Sequence, residues 1–199
     1  KLIESILKDI TGVDSTARGN NLLKRAVGNR LKLCAITDIG RYADLLMHSD
    51  KELQALIDEL MVTETWFFRD REPFYFLLEF IQDDWLARGA QRPLRVLSVP
   101  CATGEEPYSI VMTLLQSGLS RKQFTVDAVD ISLRAIRFAK RAVFGKHSFR
   151  GDTYFIRKQF LAKKKNGLKV KEVIRNAVNF KHLNFWDASF SDNTYDIIF

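Results

Sequence analysis

The sequence predicts an α/β protein: an all-helical N-terminal domain, residues 1–66, followed by an open parallel sheet with crossover helices over 67–199. Three observations carry that expectation. The first domain shows helical periodicity and no strand signal. A strand–turn–helix–strand–helix order begins at Val96, the pattern of parallel strands joined by right-handed crossovers. Later, a basic insertion at about 145–177 holds Asn166-Gly167, a hairpin signal between short apolar segments.

In chain order, Leu2, Ile3, Ile6, Leu7 and Ile10 recur at helical spacing, and Gly12 ends the first helix. A second helix turns Leu22, Leu23, Ala26, Val27 and Leu31 inward and leaves Lys24, Arg25, Arg30 and Lys32 mostly outward. A third spans about Ile39 to Met47 on Tyr42, Leu45 and Leu46. Asp50 is the expected N-cap of a fourth, which holds Leu53, Leu56, Ile57 and Leu60. A Phe-rich amphipathic helix follows from Arg71 to Leu86, then a loop from Gly89 to Pro93. The apolar run Val96–Val99 reads as a strand, with a helix starting near Pro107. Phe124–Val129 reads as a second strand ending in Asp130, with a helix from Ser132 to about Phe144. Val178–His182 and Tyr195–Phe199 are further strands. The last stops inside an apolar run, which makes a fragment of a longer protein the expectation.

Charge and composition narrow the class only coarsely. The net charge is +7 and unevenly placed: Arg134 to Lys181 contains fifteen Lys/Arg against Asp152 and Glu172. A shorter run, Arg18 to Lys32, has five cations and no acid. Such stretches attract acidic protein surfaces, nucleic acid or anionic membranes, or are simply solvated faces. No run of eighteen apolar residues appears, so no membrane insertion is expected. Cys34 and Cys101 lack metal-ligand spacing, as do His48, His147 and His182. A reduced, cytoplasmic protein without a metal site is the simpler reading.

The chemistry concentrates in Leu97-Ser-Val-Pro-Cys-Ala-Thr-Gly-Glu-Glu-Pro-Tyr-Ser-Ile110. In an open parallel sheet, ligands bind beyond the carboxyl ends of the strands. Gly104 permits close backbone approach, but the three spaced glycines of a pyrophosphate cradle are missing. Glu105 and Glu106 disfavour a phosphate and suit a cationic cofactor or one rich in hydroxyl and amino groups. Thr103-x-x-Glu106 is equally a capping box. Asp130, at a strand end, can accept from both ribose hydroxyls of an adenosine, or can cap the next helix beside Ser132.

Thr103-Gly-Glu-Glu-Pro-Tyr-Ser109 resembles the cofactor-loop signature of the chemotaxis-receptor methyltransferases, the CheR family. Thr63-Glu-Thr-Trp-Phe-Phe-Arg69 is similar to that family's Asn-x-Thr-x-Phe-Phe-Arg segment. Asp130-Ile-Ser132 resembles its acid after the second strand, and Leu183-Asn-Phe185 its Asn-Leu pair. Glu64-Thr-Trp-Phe-Phe-Arg69, Leu97-Ser-Val-Pro-Cys101 and Ser148-Phe-Arg-Gly151 are similar to the biofilm-associated, WspC-like branch. The resemblance covers essentially the whole chain. It implies a helical receptor-recognition domain, then a Rossmann-like S-adenosylmethionine-dependent methyltransferase domain, with the insertion as a small β-subdomain. The implied reaction esterifies glutamate side chains in the cytoplasmic helical region of a methyl-accepting chemoreceptor and leaves S-adenosylhomocysteine. Nucleic acid is not an expected partner.

Carried over position by position, the resemblance implies cofactor contacts at Thr63, Thr65, Arg69, Glu106, Asp130, Asn184 and Phe185. Glu106 and Asp130 would face adenosine and ribose, Thr63 and Thr65 the amino-acid moiety, and Arg69 its carboxylate and the reacting centre as the catalytic residue. A salt bridge from Arg69 to Asp70 or Glu72 is the structural alternative. Arg25, Arg30 and Lys32 fall on the family's receptor-facing helix. Thr63 stands where the family has Asn, and Phe185 where it has Leu. The family's Cys-Arg-Asn segment and a following Tyr would come after Phe199. A glutamate with an ordinary pKa near 4.3 is already ionised at neutral pH, so the reaction needs alignment and water exclusion rather than a general base. Two rival readings stay open: a nucleic-acid or small-molecule methyltransferase on the same fold, and a cofactor-binding scaffold without turnover.

Overall fold

The computed structural model describes residues 2–12, 20–61, 63–89, 92–151, 153–185 and 194–199. Arg18 of the expected basic run, and part of the loop expected between Gly89 and Pro93, lie outside them. The chain forms two compact units, one of residues 1–62 with 131–133, the other of 63–130 with 134–199. Among the described residues, no helix is long and apolar enough to cross a membrane.

The first unit is a bundle whose helices each bury one stripe. Helix α1 (Leu2–Thr11) buries Ile3, Leu7 and Thr11, four residues apart, and Thr11 Oγ1 donates to the Leu7 carbonyl at 2.7 Å. Helix α2 (Asn20–Leu33) contributes Leu23, Ala26 and Val27 to the core. Helix α3 (Ile39–His48) buries Tyr42, Ala43 and Leu46, and is capped by Asp38, which accepts from the Arg41 N–H at 2.8 Å. Helix α4 (Asp50–Leu60) buries Leu56, Ile57 and Leu60. Its cap is Ser49, not the expected Asp50: the Ser49 hydroxyl accepts from the Glu52 N–H, and Asp50 is the first helical residue. An acid there still meets the positive end of the helix dipole, so the two positions look alike in sequence.

Arg30 also departs from its expected outward placement. Its guanidinium forks onto Glu52, Nε to Oε1 at 2.9 Å and a terminal nitrogen to Oε2 at 2.6 Å. The Tyr42 hydroxyl adds a bond to Glu52 Oε1 at 2.9 Å. Burial alone would raise the Glu52 pKa, but the Arg30 fork and Tyr42 outweigh it and hold the carboxyl below its usual range. Helix α2 therefore turns Arg25 and Lys32 to solvent and uses Arg30 to tie itself to α4.

In the second unit, strands β1 (Leu94–Ser98), β2 (Phe124–Asp130), β6 (Val178–His182) and β7 (Ile197–Ile198) form a parallel sheet in the order β6-β2-β1-β7. Strands β1 and β2 are largely buried, with Leu94, Val96, Leu97, Phe124, Val126, Ala128 and Val129 in the core. The short β7 is fixed by Asp196, which accepts from the Arg95 N–H at 2.9 Å and from the Arg92 guanidinium. Helix α5 (Glu72–Glu79) continues into a single π stretch, Phe80–Trp85, closed by a Leu86 N–H to Ile81 carbonyl bond, where the sequence suggested one uniform helix.

Helix α6 (Glu105–Gln116) follows β1, and α7 (Leu133–Arg141) follows β2. The expected extension of α7 to Phe144 does not occur. Ala142 adopts a left-handed conformation (φ 55°) that ends the helix, and Val143–Phe144 become β3, pairing antiparallel with β5 (Gly167–Val170). Phe144 is then fully buried against Phe67, Tyr108 and Phe138. The expected hairpin is present as β4 (Leu161–Lys164) and β5 (Gly167–Val170), preceded by α8 (Tyr154–Phe160) and followed by α9 (Glu172–Arg175). The insertion is thus a three-stranded sheet ordered β3-β5-β4.

Replacing Glu52 with Ala leaves Arg30 and Tyr42 without their shared acceptor and should cost about 3 kcal/mol in urea unfolding. Because the folded Glu52 pKa is depressed, this contribution is fully present above the ordinary carboxylate pKa and fades as pH falls through the folded value. A wild-type advantage over Glu52→Ala that does not shrink on acidification would contradict the assignment.

Candidate functional site

The turn between β1 and α6 is built by backbone constraint. Gly104 sits at φ 97°, and a Cβ there would lie 2.7 Å from Ala139 Cβ and 3.3 Å from the Phe180 ring. Any other residue would meet both backbone strain and a clash with α7. Gly104, without a side chain, is the N-cap of α6. The capping-box alternative therefore fails: Glu106 does not turn back to Thr103 but accepts from the Ser98 hydroxyl, at 2.7 Å, at the end of β1. Asp130, at the end of the neighbouring β2, accepts from the Ala102 N–H at 2.8 Å and so braces the turn from the other strand. Leu183 N–H donates to the Asp130 carbonyl, which sets the segment after β6 beside the same strand ends.

The two adjacent glutamates have different surroundings. Glu105 is 2% exposed. One oxygen accepts from Thr103 Oγ1 at 2.6 Å and the other from Ser148 Oγ at 2.7 Å. The Ser148 carbonyl in turn accepts from the Phe67 N–H, and the Ser109 hydroxyl accepts from the Phe68 N–H at 3.0 Å. The first turns of α6 thus hold the 67–68 backbone at two points, one through the insertion. Beyond it, Arg69 donates to the Glu64 carbonyl at 3.3 Å, lies 3.5 Å from Asp70, and stands 4.8 Å over the Trp66 ring. The Asp70 pair is the expected structural alternative for Arg69, but at that length, and with both side chains exposed, it holds the guanidinium only weakly. Arg150 covers Trp66 at 3.9 Å and pairs with Glu64 at 2.7 Å.

Of the residues picked out from sequence, Thr63, Thr65, Arg69, Glu106, Asp130, Asn184 and Phe185 all belong to the second unit. Thr63, Thr65 and Asn184 are half-buried, while Arg69 and Phe185 are exposed. Arg25, Arg30 and Lys32 belong to the first. Sequence reasoning missed Ser98, Ser109 and Ser148. All three lie in segments that carry the resemblance, Leu97–Cys101, Thr103–Ser109 and Ser148–Gly151, and none was given a role there. The Ser148–Glu105 bond spans 43 residues, and nothing local announces it.

Burial pushes the Glu106 pKa up, countered by the Ser98 hydroxyl and by the charge of Arg69. Burial likewise raises Glu105, against its two hydroxyl donors. A partly buried carboxylate beside a second acid at adjoining strand ends repels phosphate. It gains from amino and hydroxyl donors or from a nearby cation, and the donor set fits S-adenosylmethionine on those grounds. Cys101 beside the turn is 1% exposed, with its thiol pKa pushed up by burial, so it packs rather than reacts.

Replacing Glu105 with Gln should leave the fold intact, because both hydroxyl partners can rotate to donate or accept. An acid whose folded pKa is raised contributes stability below its unfolded pKa that is lost as pH rises through the folded value. The wild-type Tm should therefore gain on that of Glu105→Gln as pH falls from neutral into the mildly acidic range. A pH-independent difference would show that Glu105 is not held above its usual range.

Residues 1–61 match the family profile described as CheR methyltransferase, all-alpha domain, and residues 63–199 match CheR methyltransferase, SAM binding domain. The probable biofilm formation methyltransferase WspC of Pseudomonas aeruginosa is 40% identical over 198 residues, 98% of this chain and 47% of that protein. Its counterpart in Pseudomonas putida is 35% identical over 195 residues, 97% and 46% respectively. A chemotaxis protein methyltransferase of Vibrio parahaemolyticus is 29% identical over 177 residues, 85% of this chain and 63% of that protein. The chain spans about half the length of the Pseudomonas relatives it matches.

Proposed function

The chain belongs to the CheR methyltransferase family, and on that premise we propose that it serves methyl transfer from S-adenosylmethionine to glutamate side chains of a cytoplasmic chemoreceptor-type protein. The observation that carries this reading is the placement of Glu106, bonded to Ser98 at the end of β1, and of Asp130, at the end of β2 and bonded to Ala102, at the same turn.

When bound, the cofactor supplies a methyl group activated by an adjacent sulfonium. Glu106 and Asp130 would accept hydrogen bonds from its amino and hydroxyl groups, while Asp130 keeps the Ala102 backbone in the turn. Thr63 and Thr65 offer hydroxyls at the amino-acid end, and Asn184 and Phe185 close a wall after β6. Arg69 presents a planar fork that orients a carboxylate, the cofactor's or the acceptor's. Its approach is limited by the Trp66 ring and by the Phe67–Phe68 backbone that α6 holds. The acceptor glutamate would be held as its carboxylate, already ionised at neutral pH, so that these residues need only bind, align and exclude water around it. No proton is transferred, which agrees with a site of acids, hydroxyls and one arginine and no histidine among the residues assigned to it.

Calorimetry with S-adenosylmethionine should give saturable binding, weakened about tenfold or more by Glu106→Ala or Asp130→Ala, since each removes a charged hydrogen-bond acceptor. Affinity should fall on acidification as Glu106 protonates, at a higher pH than an ordinary carboxylate would give, and Glu106→Gln should lose that limb. Transfer of labelled methyl to a glutamate-bearing receptor fragment should yield a base-labile ester that releases methanol. A base-stable product would point to an amine or nucleobase acceptor and overturn the ester assignment.

A further inference from the structure

Helix α7 has the sequence Leu-Arg-Ala-Ile-Arg-Phe-Ala-Lys-Arg, with four cations and no acid. Its inner stripe, Ala135, Ile136 and Ala139, is buried. The outer stripe, Arg134, Arg137, Lys140 and Arg141, is exposed. These cations recur at spacings of three and four, the arrangement in which like charges destabilise an isolated helix. Among the described residues, none of Arg137, Lys140 and Arg141 has a carboxylate within ion-pair distance. Arg141 instead stands 5.3 Å over the Phe138 ring. An exposed helix held only by its own unit would gain from interleaved acids, and α7 has none.

The position of this helix matters as much as its charge. Ala139 is the residue that forbids a side chain at Gly104, and its carbonyl accepts from the Tyr108 hydroxyl at 2.9 Å. The basic stripe therefore lies one helix thickness, roughly 10–12 Å, from the turn that carries Glu105 and Glu106. Every outward residue of the stripe is charged, so it has no apolar side chain to insert into a bilayer and no free aromatic face on which a base could stack. Cations at helical spacing match carboxylates presented at the same spacing by a second helix.

We propose that the outer face of α7 receives an acidic helical segment of the protein that bears the acceptor glutamate. The partner's identity rests on the function proposed above; the face itself does not. Methyl transfer turns an acceptor carboxylate into a neutral ester, so a segment already esterified at its other glutamates presents fewer charges to α7. The stripe therefore distinguishes unmodified from modified segments and favours release of the product, in a manner that salt weakens.

The test uses a fluorescein-labelled, glutamate-rich helical peptide, its glutamine counterpart as a stand-in for the ester, single-stranded RNA and phosphatidylglycerol vesicles. Wild-type protein should bind the glutamate peptide in a salt-sensitive way and bind the glutamine peptide more weakly. Arg137→Glu/Lys140→Glu should raise the Kd for the glutamate peptide about tenfold and abolish the preference, while S-adenosylmethionine binding stays unchanged as the control for folding. Arg137→Gln/Lys140→Gln should fall between the two. Equal peptide affinity in wild type and both variants would overturn the proposal. So would variant-sensitive binding confined to RNA or to vesicles. Normal peptide docking without methyl transfer would instead sink the ester-forming reading and leave the α7 face standing.

Discussion

The second unit depends on one close approach, where Ala139 of α7 meets the turn at Gly104. With no room for a Cβ and a left-handed backbone, that position fixes where α6 begins. It also fixes how near α7 can come to the ends of β1 and β2. The Asp130 bond to Ala102 and the Tyr108 bond to Ala139 close the same junction with polar contacts. Sterics set the spacing here, and hydrogen bonds then select one arrangement within it.

From that junction two neighbouring glutamates acquire unlike duties. Successive helical residues point about 100° apart, so a helix start pinned at Gly104 sends Glu105 toward Ser148 of the insertion and Glu106 toward Ser98 of the sheet. Both are raised by burial, yet only Glu106 also feels Arg69. Glu105 is a brace: with Ser109 and Ser148 it holds the Phe67–Phe68 backbone from which Arg69 emerges. The backbone that leads to Arg69 is thus held by serines that contribute no charge.

Charge is handled differently on two basic helices. On α2 one cation, Arg30, is withdrawn from the surface into the fork with Glu52 and Tyr42, which leaves Arg25 and Lys32 outward. On α7 the cations stay exposed, and among the described residues Arg137, Lys140 and Arg141 have no carboxylate within ion-pair distance. Composition treats these runs alike. What separates them is whether a neighbouring helix supplies a buried acid.

Sequence alone determined the α/β class, the helical first unit, the main strands, the hairpin at Asn166-Gly167 and the family. Those follow from local periodicity, turn chemistry and contiguous motifs, which act over a few residues. Element ends were less legible. Ser49 and Asp50 both suit a helix start, and a left-handed Ala142 carries no signature of its own. Only the tertiary structure decided that Glu106 bonds Ser98 rather than its own helix start, that Arg30 turns inward, and that Ser148 reaches Glu105 across 43 residues. Each of those choices depends on which group is brought close by packing. A side chain with two possible partners takes the one that burial leaves without water.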